Sequence, residues 1–558
     1  SPKPRRSTKP DLLPVPLKVP FDDKEQDSLP ERAMWGSQIE FLMSCIATSV
    51  GLGNVWRFPF VAYQNGGGAF LIPYIIVLFL IGKPMYYLEC IIGQFSSRNS
   101  VRVWSLSPAM RGTGYAQVLS CGYILSYYVV IIALCFYYLV MSFQSTVPWA
   151  KCDPEWLNCV PSDPTLQTGT PPENASSSAE LYFVKTVLQQ SDGIEGGLGT
   201  PIWYLTVCLL TAWLVIFLIV AQGVKSSGKA AYFLAIFPYV FMVNIQCNVF
   251  QVWYAAVTQV FFSLSVCTGA IIMFSSYNGF RQNVYRDAMI VTTLDTFTSL
   301  LSGFTIFGIL GNLAYELNTD VESVVGSGGT GLAFVSYPDA IAKTFMPQLF
   351  SVLFFLMMAV LGVGSGVALL STINTVFLDA FPKVRTVYIS GFCCTVGFGI
   401  GLIYVTPGGQ YILELVDYYG GTFLVLFCAI SELIGVFFIY GLENLCLDVE
   451  FMVGKGKASM YWRFCWGIIT PAMMIVVFIY ALISFEALVF GEDYYYPTLG
   501  YVCGYLMLFA GISFVPIIMF ITYLILSFFS KAEREKLNTT PLQHIWMCLT
   551  GGYRKKRN

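Results

Sequence analysis

Apolar positions in this chain neither alternate nor fall on one helical stripe; they run together. Stretches of about 20 predominantly apolar residues are what a bilayer core requires of a crossing helix. Such stretches begin near Gly36, Phe70, Gly114, Pro201, Ala230, Val252, Ala288, Leu349, Val387, Tyr411, Trp462 and Leu499. The pattern predicts an all-α membrane protein of about twelve transmembrane helices. Composition agrees: of 558 residues, 56% are hydrophobic, 16% aromatic and only 11% charged, against about a quarter charged in soluble domains. The expected partner is the lipid bilayer and not nucleic acid.

The placement of charge sets the expected orientation. The first segment, 1–35, is basic and proline-broken, through Lys3, Arg5, Arg6, Lys9, Lys18, Lys24 and Arg32, with no apolar core resembling a signal peptide. The last, 530–558, is also basic, through Lys531, Arg534, Lys536, Arg554, Lys555, Lys556 and Arg557. The segment 144–200 is acidic instead. With an even number of spans in 36–529, the positive-inside rule predicts cytoplasmic tails, an extracellular 144–200 loop and a plasma-membrane location. Cys152 and Cys159 lie in that loop, where an oxidising exterior favours a disulfide. The sequon Asn174-Ala175-Ser176 shares it and is the expected glycosylation site. The other cysteines lie mostly in apolar runs and read as small packing residues.

Two apolar runs are interrupted where a plain anchor would not be. The first carries Ser49-Val50-Gly51-Leu52-Gly53-Asn54, then Arg57 and Asn65-Gly66-Gly67-Gly68; the sixth carries Phe261-Phe262-Ser263-Leu264-Ser265-Val266-Cys267-Thr268-Gly269. Small-xxx-small helix packing needs a spacing of four, whereas Gly51 and Gly53 are two apart. Broken helices in corresponding places point to a midplane site between inverted repeats of a secondary transporter. The N–H groups freed at such breaks suit an anion and the freed carbonyls suit a cation. Arg57, Glu89, Asp295, Glu414, Asp417 and Glu432 are charged groups in or near apolar runs, the kind that mark pathways or partners. Glu89 and Glu432 read as groups that hold the bundle together. Arg57 and Asp417 read as a gate pair, with a static brace as the alternative.

These residues closely resemble the neurotransmitter:sodium symporter family, with its leucine-transporter fold. The resemblance runs from Arg32 to about Phe529 and rests on Gly51-Leu52-Gly53-Asn54-Val55-Trp56-Arg57-Phe58-Pro59, Asn65-Gly66-Gly67-Gly68-Ala69-Phe70 and Arg286-Asp287-Ala288. Gly331-Leu332-Ala333-Phe334, Thr406-Pro407-Gly408-Gly409-Gln410 and Asp295 are most similar to the insect nutrient amino acid transporters. The resemblance implies an inverted five-helix repeat with helices one and six broken. It also implies alternating-access symport of neutral, bulky amino acids coupled to sodium, with potassium as an alternative ion and chloride dependence open.

Carried over residue by residue, it implies a substrate site of Thr48, Ser49, Gly51, Gly53, Ile124, Tyr128, Phe262, Ser263, Ser265, Thr268, Ser365 and Leu369. Tyr128 would bind the substrate carboxylate and form a lid with Phe262. A first sodium site falls on Ser49, Asn54, Ser263 and Asp295, and a second on carbonyls of Ala47, Val50 and Leu361 with the Ser365 hydroxyl. The chloride position falls on Tyr74, Gln259, Ser263, Asp295 and Ser299. Arg57 with Asp417 resembles the outer gate; Arg32 with Asp379, near Trp35 and Tyr277, resembles the inner one. Monoamine members carry aspartate where this chain has Gly51, so the resemblance implies a substrate that brings its own carboxylate.

Three departures stand out. Gly364 lies at the second sodium position where relatives supply an oxygen, which predicts a weaker site. Asp295 replaces an asparagine. The fifth and sixth runs nearly touch, with a turn expected within about Cys247 to Gln251, so a conducting or non-transporting role is the alternative to symport. An enzyme is not expected: the one histidine is His544, in the C-terminal tail, which removes the common Ser-His, Cys-His and His-metal arrangements.

Overall fold

The computed structural model describes residues 34–156, 158–166, 176–221, 223, 249–317, 332–454, 456–484, 487–491 and 494–537. Apart from turns, the irregular parts of 142–202 and two pairs of two-residue strands, these are helical. The first half comprises α1 (Gln38–Ser49), α2 (Phe58–Gln64), α3 (Leu71–Val77), α4 (Lys83–Ser96), α5 (Arg111–Met141) and α6 (Trp203–Val220). Then follow α7 (Val249–Leu264), α8 (Ala270–Ser275), α9 (Val284–Leu317), α10 (Pro347–Ala380) and α11 (Thr386–Tyr404). The chain closes with α12 (Gly409–Val416), α13 (Leu424–Leu433), α14 (Leu442–Val453), α15 (Thr470–Ile483) and α16 (Thr498–Leu537).

Among the described residues, eight helical stretches are long and apolar enough to cross a membrane, and Gln38–Ser49 with Gly53–Gln64 forms a further one bent by 45°. The fifth expected run, near Ala230, lies outside the described residues. The expected turn within Cys247 to Gln251 is corrected in part: α7 already begins at Val249, so Val249–Gln251 are helix and any connection lies upstream. This follows the sequence, since Val249 opens an apolar run with no helix breaker in it.

α5 is apolar all round, as a helix enclosed by others must be, and it packs against α6, α10 and α16 at the centre. Peripheral helices bury one face and turn large apolar side chains outward, among them Phe392 on α11 and Phe509 and Phe520 on α16. Lipid, not water, is the medium these faces fit. Without a hydrophobic force between helices in lipid, close approach through small residues carries the packing. A Cβ on Gly93 would lie 2.5 Å from the Ile272 carbonyl oxygen, so α4 and α8 touch backbone to side.

In the 144–200 segment, Cys152 and Cys159 are joined by a disulfide, and Cys159–Val160 pair in parallel with Ser176–Ser177. Asn174 lies outside the described residues. The segment is tied to the helical body where the Ser162 hydroxyl donates to Asp339, which also receives Lys343 Nζ at 3.0 Å.

Candidate functional site

Both interrupted runs are broken where the glycines and small polar residues fall. α1 ends at Ser49 as Val50 leaves helical geometry, with ψ 78°. The chain resumes in a π-helical turn, Gly53–Arg57, before α2; such turns recur at functional sites. α7 ends at Leu264, and Ser265, Cys267 and Gly269 all take positive φ (54°, 63° and 80°) before α8 begins.

One cavity lies between the two breaks. Its lining includes all twelve residues expected for a substrate: Thr48, Ser49, Gly51, Gly53, Ile124, Tyr128, Phe262, Ser263, Ser265, Thr268, Ser365 and Leu369. Sequence reasoning missed Thr258, Phe261, Gly421, Thr422, Val425 and Leu426. A signal for four of these was present. Gly420-Gly421 interrupts an apolar run just after Asp417, and Asp417–Phe423 forms another π-helical segment. A Cβ on Gly420 would meet Tyr123 at 2.6 Å, so the glycine lets this segment settle against α5.

The cavity's walls are mostly apolar, and both breaks bring polar groups to it: Thr48 and Ser49 at the first, Ser263, Ser265 and Thr268 at the second. Leu52 N–H donates to Tyr128 Oη at 3.4 Å, leaving the phenol's own hydrogen to donate elsewhere. Gly51 sits against two lining side chains: a Cβ there would lie 2.5 Å from Ser365 Oγ and 3.3 Å from Tyr128 Oη, so a larger residue displaces the Ser365 hydroxyl.

Beside the cavity, Asn54 Nδ2 is ringed by four oxygens: Asp295 Oδ1 at 2.7 Å, Ser263 Oγ at 2.9 Å, Ser299 Oγ at 2.9 Å and the Asp295 carbonyl at 3.2 Å. An amide has only two hydrogens to give. Ser263 Oγ donates to Asp295 Oδ1 at 2.6 Å, and Asp295 Oδ2 and Gln259 Oε1 are buried with no donor. Oxygen therefore exceeds donor hydrogen in a dry site, the condition that a small hard cation relieves. Ser49 lies at the end of α1 and lines the cavity, while Tyr74, Gln259 and Ser299 are buried. Gln259 Nε2 donates to the Gly53 carbonyl at 3.2 Å.

The residues expected for a second cation lie where the end of α1 meets α10. The Ser365 hydroxyl donates to the Thr48 carbonyl at 3.2 Å. The Ala47 carbonyl faces Gly364, where a Cβ would approach to 2.8 Å; Val50 and Leu361 are buried close by in α1's C-cap and α10.

At one end of the cavity, Arg57 Nη1 lies 3.8 Å from Asp417 Oδ1. The guanidinium also stacks 4.2 Å over the Phe262 ring, and Tyr127 Oη donates to Asp417 Oδ1 at 2.5 Å. Trp35 and Tyr277 meet away from the cavity: Trp35 N–H donates to the Tyr277 carbonyl at 3.2 Å and Trp35 Nε1 to the Phe274 carbonyl at 3.0 Å. Tyr277 Oη shares a 3.2 Å hydrogen bond with Thr375 Oγ1. Arg32 lies outside the described residues. Its expected partner Asp379 receives Asn99 Nδ2 at 2.7 Å.

The family model for the sodium:neurotransmitter symporter family matches residues 32–249 and 245–526. The chain is 51% identical over 538 residues to sodium-dependent nutrient amino acid transporter 1 of Drosophila virilis, covering 89% of this chain and 84% of that protein. It is 52% identical over 535 residues to the Drosophila willistoni protein of the same name, covering 87% and 83%. With nearly its whole length matched and the broken helices in place, this multi-pass membrane protein belongs to the sodium:neurotransmitter symporter family.

Proposed function

We propose that the chain is a sodium-coupled symporter of neutral amino acids that works by alternating access. One observation carries the reading: the twelve residues expected at a substrate site, drawn from α1, α5, α7, α10 and the segments that follow α1 and α7, line a single cavity between two broken helices. The names of the Drosophila relatives, sodium-dependent nutrient amino acid transporters, support the substrate class and the ion. The substrate carboxylate would sit at the α1 break against Tyr128 and the freed N–H groups. The amino group would face carbonyls of the α7–α8 break, and an uncharged side chain would face Ile124, Leu369, Val425 and Leu426. Cations lie outside the chain's own machinery and enter as co-substrates: one at Asn54, Ser263 and Asp295, a weaker one near Ala47 and Ser365. Potassium is a secondary candidate for the first position, and chloride for the Tyr74, Gln259 and Ser299 side.

The reading includes twelve spans within 36–529 with an inverted five-helix repeat, cytoplasmic tails at 1–35 and 530–558, and an outer loop at 144–200 glycosylated at Asn174. It makes Arg57 and Asp417 the outer gate, and Trp35 and Tyr277 part of the inner one with Arg32 and Asp379. The test is uptake of an amino acid panel in expressing oocytes with sodium, potassium and chloride replaced in turn. Saturable uptake of neutral amino acids with a fixed charge per substrate supports symport. Current without fixed stoichiometry indicates a conductance.

Arg57→Lys and Asp417→Asn should each reduce uptake far more than surface expression. Lysine has no planar fork to pair with a carboxylate while stacking on Phe262. A partly desolvated cation–π contact is worth roughly 1–2 kcal/mol, a factor of about 5–30. Normal transport by Arg57→Lys, measured against biotinylated surface protein, would leave the pair as a static brace.

A further inference from the structure

We propose that Glu89, Cys267 and Glu432 form a binding site for one thiophilic divalent cation, Zn²⁺ or Cd²⁺, that pins the break between α7 and α8. The three side chains come from α4, the break itself and α13, and one ligand atom from each lies within 4.8 Å of the others. All three residues are fully buried, at 0% exposure. Tetrahedral zinc bonds of about 2.0–2.3 Å set ligand atoms roughly 3.3–3.7 Å apart, so the three side chains close on an ion by drawing together by at most about 1.5 Å.

Its parts are held in place from outside. The close approach of Gly93 to the Ile272 carbonyl sets α4 against α8, and Glu89 lies one helical turn from Gly93. Glu89 Oε1 accepts the Cys267 backbone N–H, which the break leaves without a helical partner. Gln117 Nε2, on α5, donates to Glu432 Oε2 at 2.7 Å. That leaves Glu89 Oε2 and Glu432 Oε1 buried with no donor other than the Cys267 thiol between them. Two carboxylates thus face each other across a thiol in a dry interior.

The ligand set selects the ion class. Calcium takes six to eight oxygens, and magnesium prefers to keep its waters. A thiolate with two carboxylates suits zinc or cadmium, with a fourth position open to water. Backbone geometry does not account for the cysteine. At φ 63° glycine is the residue that fits without cost, yet this position carries a thiol aimed between two acids. Ser265 and Thr268 of the same break line the cavity, so an ion there is separated from cavity water by about one turn of chain. Holding α4, the break and α13 together opposes any rearrangement of the α7–α8 pair.

The test uses the full chain purified in detergent and reconstituted in liposomes. Titration with Cd²⁺ should give one cadmium per chain at this site, seen as an ultraviolet thiolate-to-metal charge-transfer band. Cys267→Ser should lose that band. Glu432→Gln should keep it but need at least tenfold more Cd²⁺. If Cys267→Ser fails to fold, Cys267→Gly, which suits the backbone, replaces it. The second readout is inhibition of amino acid uptake by Zn²⁺, expected to weaken at least tenfold in both variants. That readout rests on the symport reading, whereas the cadmium band does not, so failure of one is distinguishable from failure of the other. A wild-type spectrum without a Cys267-dependent band overturns the site, as does a Cd²⁺ requirement unchanged by Glu432→Gln.

Discussion

Gly51→Asp should abolish amino acid uptake while the protein still reaches the cell surface. The structure adds a steric reason to the chemical one. Even a Cβ at this position would come within 2.5 Å of Ser365 Oγ and 3.3 Å of Tyr128 Oη, and both side chains line the cavity. Overpacking a well-packed site costs typically 1–3 kcal/mol, and here the displaced groups are those proposed to receive the substrate. Gly51→Ala should therefore lower uptake steeply by volume alone. Aspartate adds a second carboxylate to a desolvated site that must accept the substrate's own, and two like charges there oppose each other. Uptake by surface-normalised oocytes checks both variants. Wild-type uptake of a decarboxylated amine equal to that of its parent amino acid would remove the basis for the second half of this argument.

Chloride replacement should slow wild-type uptake only weakly, and Asp295→Asn should either need chloride strongly or lose transport. The side chains assigned to chloride by resemblance, Tyr74, Gln259, Ser263 and Ser299, are neutral and lie with Asp295 and Asn54 in the buried interior. The resemblance implies that in chloride-dependent relatives, where the residues around this position are neutral, a chloride ion supplies the negative charge beside sodium. Here the Asp295 carboxylate occupies that region, with Oδ1 held by Asn54 and Ser263 and Oδ2 left without a donor. At about 4 Å and an effective dielectric near 20, a unit charge pair is worth roughly 4 kcal/mol, enough to stand in for much of a bound anion. The measurement is uptake with chloride replaced by gluconate in wild type and variant. Strong chloride dependence in the wild type, unchanged by Asp295→Asn, contradicts the substitution of one charge for the other.

The broken helices were legible because their signal is local. Gly51 and Gly53 are too close for a packing motif, and Ser263–Gly269 interrupts an apolar run, so composition alone marks both breaks. The cavity's third wall was less visible. Thr422, Val425 and Leu426 sit in an ordinary apolar run, and only Gly420-Gly421 hinted that its helix changes pitch and turns one face inward. The oxygen ring around Asn54 needed three dimensions, since Ser263, Asp295 and Ser299 reach it from α7 and α9. Cys267 shows the opposite failure. Among sixteen cysteines it read as one more small packing residue, because nothing in the chain order says that Glu89 and Glu432 converge on it.

In the proposed symport, the cavity between the α1 and α7–α8 breaks couples a neutral amino acid to sodium. Its most direct test is accumulation of a labelled neutral amino acid in liposomes containing the purified chain, with sodium outside and none inside. The internal concentration should rise above the external one, collapse when the sodium gradient is removed and show no such rise in Gly51→Asp. Equal uptake with and without the gradient, or accumulation that survives Gly51→Asp, contradicts it.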